Sequence, residues 1–303
     1  MQEAQVETIL FISLSCLGDA IMTTPVLESL HRLYPAARID IVSDRRSSAW
    51  YSHCPYRGRV FIKDKKLLLR GAPALIRELR KYSYDLIVDL RTDGLAWLLR
   101  GKRRLTKWTA RPYGDHAVEK LMGIVRSLHG DAPIPPTRMW ITKADLDYAD
   151  ERLAVLPPRP WLALAPAVGG RPERSWPAVR YRELANRLRD RFNAVILAGG
   201  PGEGAILSEA AAGIDLPVVD VSDTSLLQIA AIISRADMFV GSDSGLAHVA
   251  GAAGTASVVL FSVDRPERVS PWEGKTAVVQ GANHDARNIT VVQVEAAVRS
   301  LPC

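Results

Sequence analysis

The sequence predicts an α/β protein built from two doubly wound, parallel-sheet units in series. Three observations carry that expectation. Short apolar runs alternate with amphipathic stretches along most of the chain; the alternation comes in two series parted by a proline-rich break; and Gly, Asp or Ser recurs where an apolar run ends. Short apolar runs each followed by a helical pattern are the mark of βαβ units, whose strands are covered on both faces. Open sheets of this kind bind ligands at the carboxyl ends of their strands, so function is sought there.

In the first series, residues 9–14 read as a strand and 20–33 as one helix, with Gly18-Asp19 between them. A strand follows at 37–43, and a helical pattern over 67–82 leads into a strand at 85–90. Residues 116–129 place Val118, Leu121, Met122, Val125 and Leu128 at helical spacing. DAPIPPTRMW (131–140) breaks the pattern, and after AVLPPRP (154–160) the alternation restarts. Strands are expected at 161–166, 193–200, 216–222, 237–243 and 256–262, with helices at 176–192, 202–212, 225–236 and 244–254. A last helix at 290–301 could pack back on either domain. The expected domains are 1–156 and 157–303, two Rossmann-like units facing a cleft.

Composition limits the class. The chain has 303 residues, 48% hydrophobic and 24% charged, enough for two cored domains. No apolar run approaches the roughly 18 residues of a membrane span, and the acidic start MQEAQVE does not read as a signal peptide. Cys16, Cys54 and Cys303 lack the spacing of a disulfide framework or metal knuckle, so a reducing cytoplasm is the expectation. The net charge of +6 admits nucleic acid, an anionic membrane or a phosphorylated substrate as partner. Much of it sits in RGKRRLTKWTAR (100–111), which reads either as a solvated loop or helix face or as a phosphate-meeting patch containing Lys102, Arg103, Arg104 and Lys107. The run lacks a recognised nucleic-acid module, so nucleic acid is not expected.

Three strand ends carry candidate chemistry. In GSDSGLAHVAG (241–251), Asp243 or Ser244 is placed to cap a helix starting near Gly245, whose amides would favour a nucleotide phosphate. Gly241 and Gly245 keep side chains clear of such a ligand, and His248 lies one turn on from Ser244. In PAVGGRPERSWP (166–177), Ser175 is a plausible N-cap with Pro177 near the first helical position, and Arg171 or Arg174 could bind a diphosphate through two guanidinium nitrogens. The third is Asp19. It fits a helix cap after the Gly18 turn, yet a carboxylate there could equally accept a substrate hydroxyl's proton. LAGGPGEG (197–204) is not GxGxxG; P-loop, HExxH, CxxC and GxSxG motifs are absent, as is a DxD in the strand context of a bound divalent metal.

These pieces resemble glycosyltransferase family 9, the ADP-heptose–lipopolysaccharide heptosyltransferases and their relatives. The resemblance rests on LSCLGDAIMTTPVLESLHRLYPAARIDIV (14–42), ERSWP (173–177) and DMFVGSDSGLAHVAGAAGTASVVLF (237–261), in family order across nearly the whole chain. It implies a GT-B fold, with acceptor in the first Rossmann-like domain and sugar nucleotide in the second. It also implies inverting transfer without a metal or other cofactor, with a sugar nucleotide as co-substrate. Asp19 then stands at the general base's position and Arg174 where many members carry a diphosphate-binding lysine. Asp243, Ser244, Gly245 and His248 match the donor motif D-[ST]-G-x-x-H, and Thr224 falls near the expected adenosine contact. Gly169 and Gly170 replace the hydroxyl residues of some heptosyltransferases, leaving backbone donors. Ser13 stands where many relatives have arginine, and SVD (262–264) where they have Gly-Pro-Thr.

The implied activity is transfer of heptose from ADP-heptose to a lipopolysaccharide core. The basic run would meet phosphates of a lipid-linked acceptor or an anionic membrane, at the inner face of the cytoplasmic membrane. Another sugar nucleotide serving another surface glycan, and a GT-B-type sugar-nucleotide epimerase, are the alternative readings.

Overall fold

The computed structural model describes residues 6–63, 71–91, 94–168 and 174–302. The chain forms two compact units, Met1–Trp140 and Ile141–Cys303. The first holds a five-stranded parallel sheet in the order β3-β2-β1-β4-β5. Its strands are β1 (Thr8–Ile12), β2 (Arg38–Asp44), β3 (Arg57–Lys63), β4 (Tyr84–Asp89) and β5 (Gly101–Thr106), and its helices are α1 (Leu17–Met22), α2 (Thr24–Leu33), α3 (Gly71–Leu79) and α4 (Ala117–His129). Leu10 and Ile12 pack with Val42, Ile87, Leu75 and Leu79 in one core cluster. Ile9 and Phe11 point the other way by strand alternation and are equally buried, so both faces of β1 are covered.

The helix expected over 20–33 is two helices meeting at Thr23. Pro25 is the cause: it has no N–H for the carbonyl of Ile21, four residues back. The hydroxyl of Thr24 takes that carbonyl at 2.7 Å, and Thr23 Oγ1 takes Ala20 O at 2.7 Å. TTP thus breaks the helix while keeping its freed acceptors satisfied.

The second unit carries a six-stranded sheet ordered β11-β10-β9-β6-β7-β8, every registered pair parallel. Its strands are β6 (Trp161–Ala165), β7 (Ala194–Leu197), β8 (Val218–Asp220), β9 (Met238–Ser242), β10 (Ala256–Phe261) and β11 (Thr276–Gln280). Its helices are α5 (Lys143–Leu153), α6 (Ala178–Arg187), α7 (Gly204–Ala211), α8 (Leu226–Arg235), α9 (Gly245–Ala253), α10 (Pro266–Val269) and α11 (Val291–Ser300). Leu162, Leu164, Val195, Val240 and Leu260 meet Tyr181 and Leu184 of α6 and Val294 and Val298 of α11 in one core.

One placement differs from the expected domain organisation. α5, assigned to the first domain by a boundary at 156/157, belongs to the second unit: it packs on α8, and Arg235 pairs with Asp150 at 2.7 Å. α11 stays with the second unit, one of the two packings expected for it: Arg191 donates to Val298 O and Arg299 pairs with Asp190. Strands β3, β5 and β11 and helix α5 went without a sequence expectation. All three strands are sheet edges; exposed cations interrupt the apolar run in β3 and β5, and β11 is a five-residue strand with no fully buried position.

Candidate functional site

At the carboxyl end of β1 the chain turns through Ser13–Cys16 into α1. Cys16 holds the N-cap position without a side-chain cap bond, so Asp19 is the third residue of the first turn rather than the cap. The half-buried Asp19 carboxylate still lies in the favourable field of the helix start.

Beneath it lies a closed set of hydroxyls. Ser13 Oγ is 2.6 Å from Tyr51 Oη, and Thr23 Oγ1 is 3.0 Å from the same phenol, which also reaches Ala20 O at 3.2 Å. Burial pushes the Tyr51 phenol up to about 12, with the Ser13 and Thr23 bonds acting in the opposite direction. Tyr51 is therefore a neutral brace at working pH, and Ser13 is tied into that brace. On the neighbouring strand, Arg91 follows β4 and donates to Ser15 Oγ in the β1–α1 turn. Arg91 stands in no motif, and its one sequence signal is a cation two residues beyond the strand-ending Asp89, next to the central strand.

The basic run is a strand, not a loop or helix face: Gly101–Thr106 forms β5 at the sheet edge. Its cations are spread along the strand. Lys102 lies near the amino end and pairs with Asp85 at 2.7 Å, and that carboxyl is held well below the usual range by Lys102 first, then by the amides of Glu7 and Thr8. Arg103 donates to Ser127 Oγ at 3.2 Å. Arg104 donates to the carbonyls of Ala96, Leu99 and Gly101. Lys107 alone of the four candidates follows the strand's carboxyl end. A charged edge strand also discourages edge-to-edge pairing, which gives these residues a structural use.

In the second unit, β9 ends at Ser242 and α9 begins at Gly245, with Ser244 as N-cap. Ser244 makes no side-chain cap bond, and its Oγ is buried without a hydrogen-bond partner among the described residues. Arg174, on the segment before α6, places Nη1 3.5 Å from Asp243 Oδ2, and its Nη2 donates to Asp264 after β10. Its Nε is likewise buried and unpartnered. Buried polar atoms rarely go unsatisfied, so these two mark a place built for a ligand or water. The amides opening α9 add a positive field there, and His248 is buried one turn into the same helix.

Several expected roles change. Ser175 does not cap α6: Pro177 takes that position, and the buried Trp176 anchors the segment by donating from Nε1 to Ile289 O at 2.8 Å. Gly241 serves packing rather than phosphate approach, since a Cβ there would stand 2.8 Å from the Phe239 ring and 3.1 Å from Ala165 Cβ. Thr224 lies in the β8–α8 turn with its hydroxyl given to Val221 O at 2.7 Å. Gly169, Gly170 and Arg171 lie outside the described residues. Two groups near this edge went unpredicted, Asp264 and His284. His284 holds a left-handed backbone (φ 56°) and its Nδ1 is 3.2 Å from Ser262 O. Asp264 was visible only as a departure from Gly-Pro-Thr; nothing local in the sequence pairs it with Arg174, ninety residues earlier. Among the described residues no three His, Cys, Asp or Glu side chains gather as a metal-holding group, and no helix is long and apolar enough to cross a membrane.

Comparison with known proteins decides the family. The sequence model of glycosyltransferase family 9 (heptosyltransferase) matches residues 73–297. The chain belongs to glycosyltransferase family 9. A curated relative, lipopolysaccharide heptosyltransferase 3 of Escherichia coli, is 26% identical over 293 residues, covering 84% of this chain and 83% of its own. A solved family 9 glycosyltransferase from Veillonella parvula superimposes with a TM-score of 0.84 at 20% identity, over 98% of both chains. An Escherichia coli heptosyltransferase solved with ADP gives 0.77 at 21% identity, covering 97% of this chain and 99% of that one. The two units are thus the Rossmann-like halves of a GT-B fold, and the protein is a heptosyltransferase-like glycosyltransferase. Arg174, Thr224, Asp243, Ser244, Gly245 and His248 of this family 9 enzyme all fall inside the matched span; Asp19 precedes it.

Proposed function

We propose that this enzyme transfers heptose from ADP-heptose to a lipopolysaccharide core acceptor, with inversion and without a metal. The observation that carries the donor half is the pair of buried, unpartnered polar atoms, Ser244 Oγ and Arg174 Nε, at the amino end of α9. A nucleotide diphosphate supplies the oxygens those donors lack, and a guanidinium binds such oxygens two at a time. Related proteins are named for heptose transfer to lipopolysaccharide, and one similar structure holds ADP.

In the reaction, the Asp19 carboxylate takes the proton of an acceptor hydroxyl as its oxygen attacks the anomeric carbon. The new glycosidic bond forms on the face opposite the nucleotide, and the bond from the anomeric carbon to the diphosphate breaks. ADP leaves with the electron pair, its growing charge met by Arg174 and the α9 amides, a fixed electrostatic environment that needs no reorganisation. His248, Gly245 and Asp243 complete the donor pocket, Thr224 offers backbone to the adenosine, and Gly169 and Gly170 offer amides. Lys107, with Lys102 and Arg103 along β5, meets the anionic, lipid-linked acceptor at the inner face of the cytoplasmic membrane, while Arg104 donates to the carbonyls of Ala96, Leu99 and Gly101.

The test is incubation with a panel of labelled sugar nucleotides and heptose-free core acceptor, with and without EDTA. The expected result is label transfer from ADP-heptose alone, undiminished by EDTA, with an inverted anomeric linkage. Transfer from another sugar nucleotide would move the assignment to another surface glycan, and a changed sugar without acceptor would make the enzyme an epimerase.

A further inference from the structure

We propose that Trp97, Leu98 and Trp108 form an interfacial wedge that inserts into an anionic lipid bilayer and seats the carboxyl edge of the first sheet against it. This rests on the reading above that the acceptor is lipid-linked. The three side chains are 53%, 46% and 64% exposed, although Trp50 and Trp176 of the same chain are wholly buried. Tryptophan is among the most buried side chains on average, so two exposed indoles side by side need a reason. Their ring centroids are 6.2 Å apart with planes 29° from parallel.

The wedge is held in shape rather than draped over the surface. Trp97 and Leu98 lie on the single turn Leu95–Leu98, and Trp108 follows the end of β5. Arg104 fastens the two segments together: it donates to the carbonyls of Ala96 and Leu99 while its guanidinium carbon stands 5.7 Å from the Trp97 ring centre. Arg80 donates to Leu98 O at 2.7 Å. Fixing the indoles beforehand lowers the entropy lost when they insert.

The surrounding charge selects the partner. From Gly94 to Gly114 the sequence has Arg100, Lys102, Arg103, Arg104, Lys107 and Arg111 and no acidic residue. Indoles partition to the headgroup level of a bilayer, where the ring meets hydrocarbon and the N–H stays wet, and basic residues beside them are drawn to anionic lipids. Leu98 adds an aliphatic group that suits acyl chains.

Position gives the wedge its use. Ile12, Asp89 and Thr106 are in register across β1, β4 and β5. With strands about 4.8 Å apart, the strand ends that lead to Asp19 and to Trp108 lie roughly 10 Å from each other on one sheet edge. A bilayer met by the wedge therefore lies beside the turn that carries the proposed base, where the head of a lipid-anchored acceptor is presented.

Flotation of the full chain with vesicles of phosphatidylcholine, alone or mixed with phosphatidylglycerol, tests this without either substrate. The wild type is expected to float with the anionic vesicles, and bromine-labelled acyl chains are expected to quench its tryptophan fluorescence. The double variant Trp97→Ala/Trp108→Ala should partition at least about 10-fold more weakly. It should keep wild-type turnover on a water-soluble acceptor stripped of its lipid, which separates this proposal from the transferase reading. Undiminished flotation of the double variant, or absence of quenching in the wild type, overturns the wedge. So does a double variant that instead loses binding to poly(U), or disperses a dimer, in a chain that never floats.

Discussion

The carboxyl ends of β1 and β9 are built from similar parts and finished differently. Each central strand runs through a short serine-bearing turn into a helix, with an aspartate in the first turn of the helix after β1 and in the connecting turn after β9. After β1 the polar groups close on themselves: Ser13, Thr23 and Tyr51 share one phenol, and the carbonyls freed by Pro25 are taken by threonines. After β9 they stay open, with Ser244 Oγ and Arg174 Nε buried and unpartnered. A satisfied network rigidifies, whereas an unsatisfied one awaits a ligand's oxygens. The turn after β1 is thus a firm platform below the proposed base, and the turn after β9 is the proposed receptacle for a diphosphate.

Substitutions on each side can break that contrast. The largest expected effect is Asp19→Asn, which should cut turnover about 1000-fold, within the usual range for loss of a general base. Calorimetry with ADP should show unchanged binding; near-normal turnover of the folded variant would sink the base assignment. Next, Arg174→Ala should weaken ADP binding roughly 10- to 100-fold, as expected when a charged hydrogen-bond donor is lost, with Arg174→Lys recovering only part because the forked geometry is gone.

Smaller effects sharpen the difference. Tyr51→Phe removes the shared hydroxyl and should cost about 1–2 kcal/mol of stability, read as a melting temperature lower by a few degrees with ADP affinity unchanged. A loss of ADP affinity there would show that the brace is not confined to the first edge. The smallest is Asp264→Asn. In the free protein Asp264 holds the Arg174 guanidinium that a diphosphate is proposed to take, so releasing it should tighten ADP binding about 3-fold, the scale of a partly exposed ion pair. Weaker binding in that variant would make Asp264 a ligand contact rather than a stand-in for one.

Legibility followed burial and sequence distance. Six of the interior strands, β1, β4, β6, β7, β9 and β10, announce themselves as apolar runs because both their faces are covered, whereas the edges β3 and β5 carry exposed cations that break the run. The basic run is the clearest instance: six cations in twelve residues suggested a loop or helix face, and the backbone pairs with β4 instead. The donor motif was legible because Asp243, Ser244, Gly245 and His248 lie within six residues on one turn and helix. Its partners were not, since Arg174 and Asp264 meet across ninety residues of chain.

By itself the sequence determined the two alternating series, the strand-end aspartate and the family motif. Each is a local pattern, set by periodicity or by residues packed into one turn. Only the tertiary structure decided that α5 joins the second unit, that Ser13 is locked to Tyr51, that Asp264 occupies Arg174, and that Trp97 and Trp108 stand together in solvent. Those facts depend on which distant segments the sheets bring side by side, and chain-local propensity carries no information about that meeting.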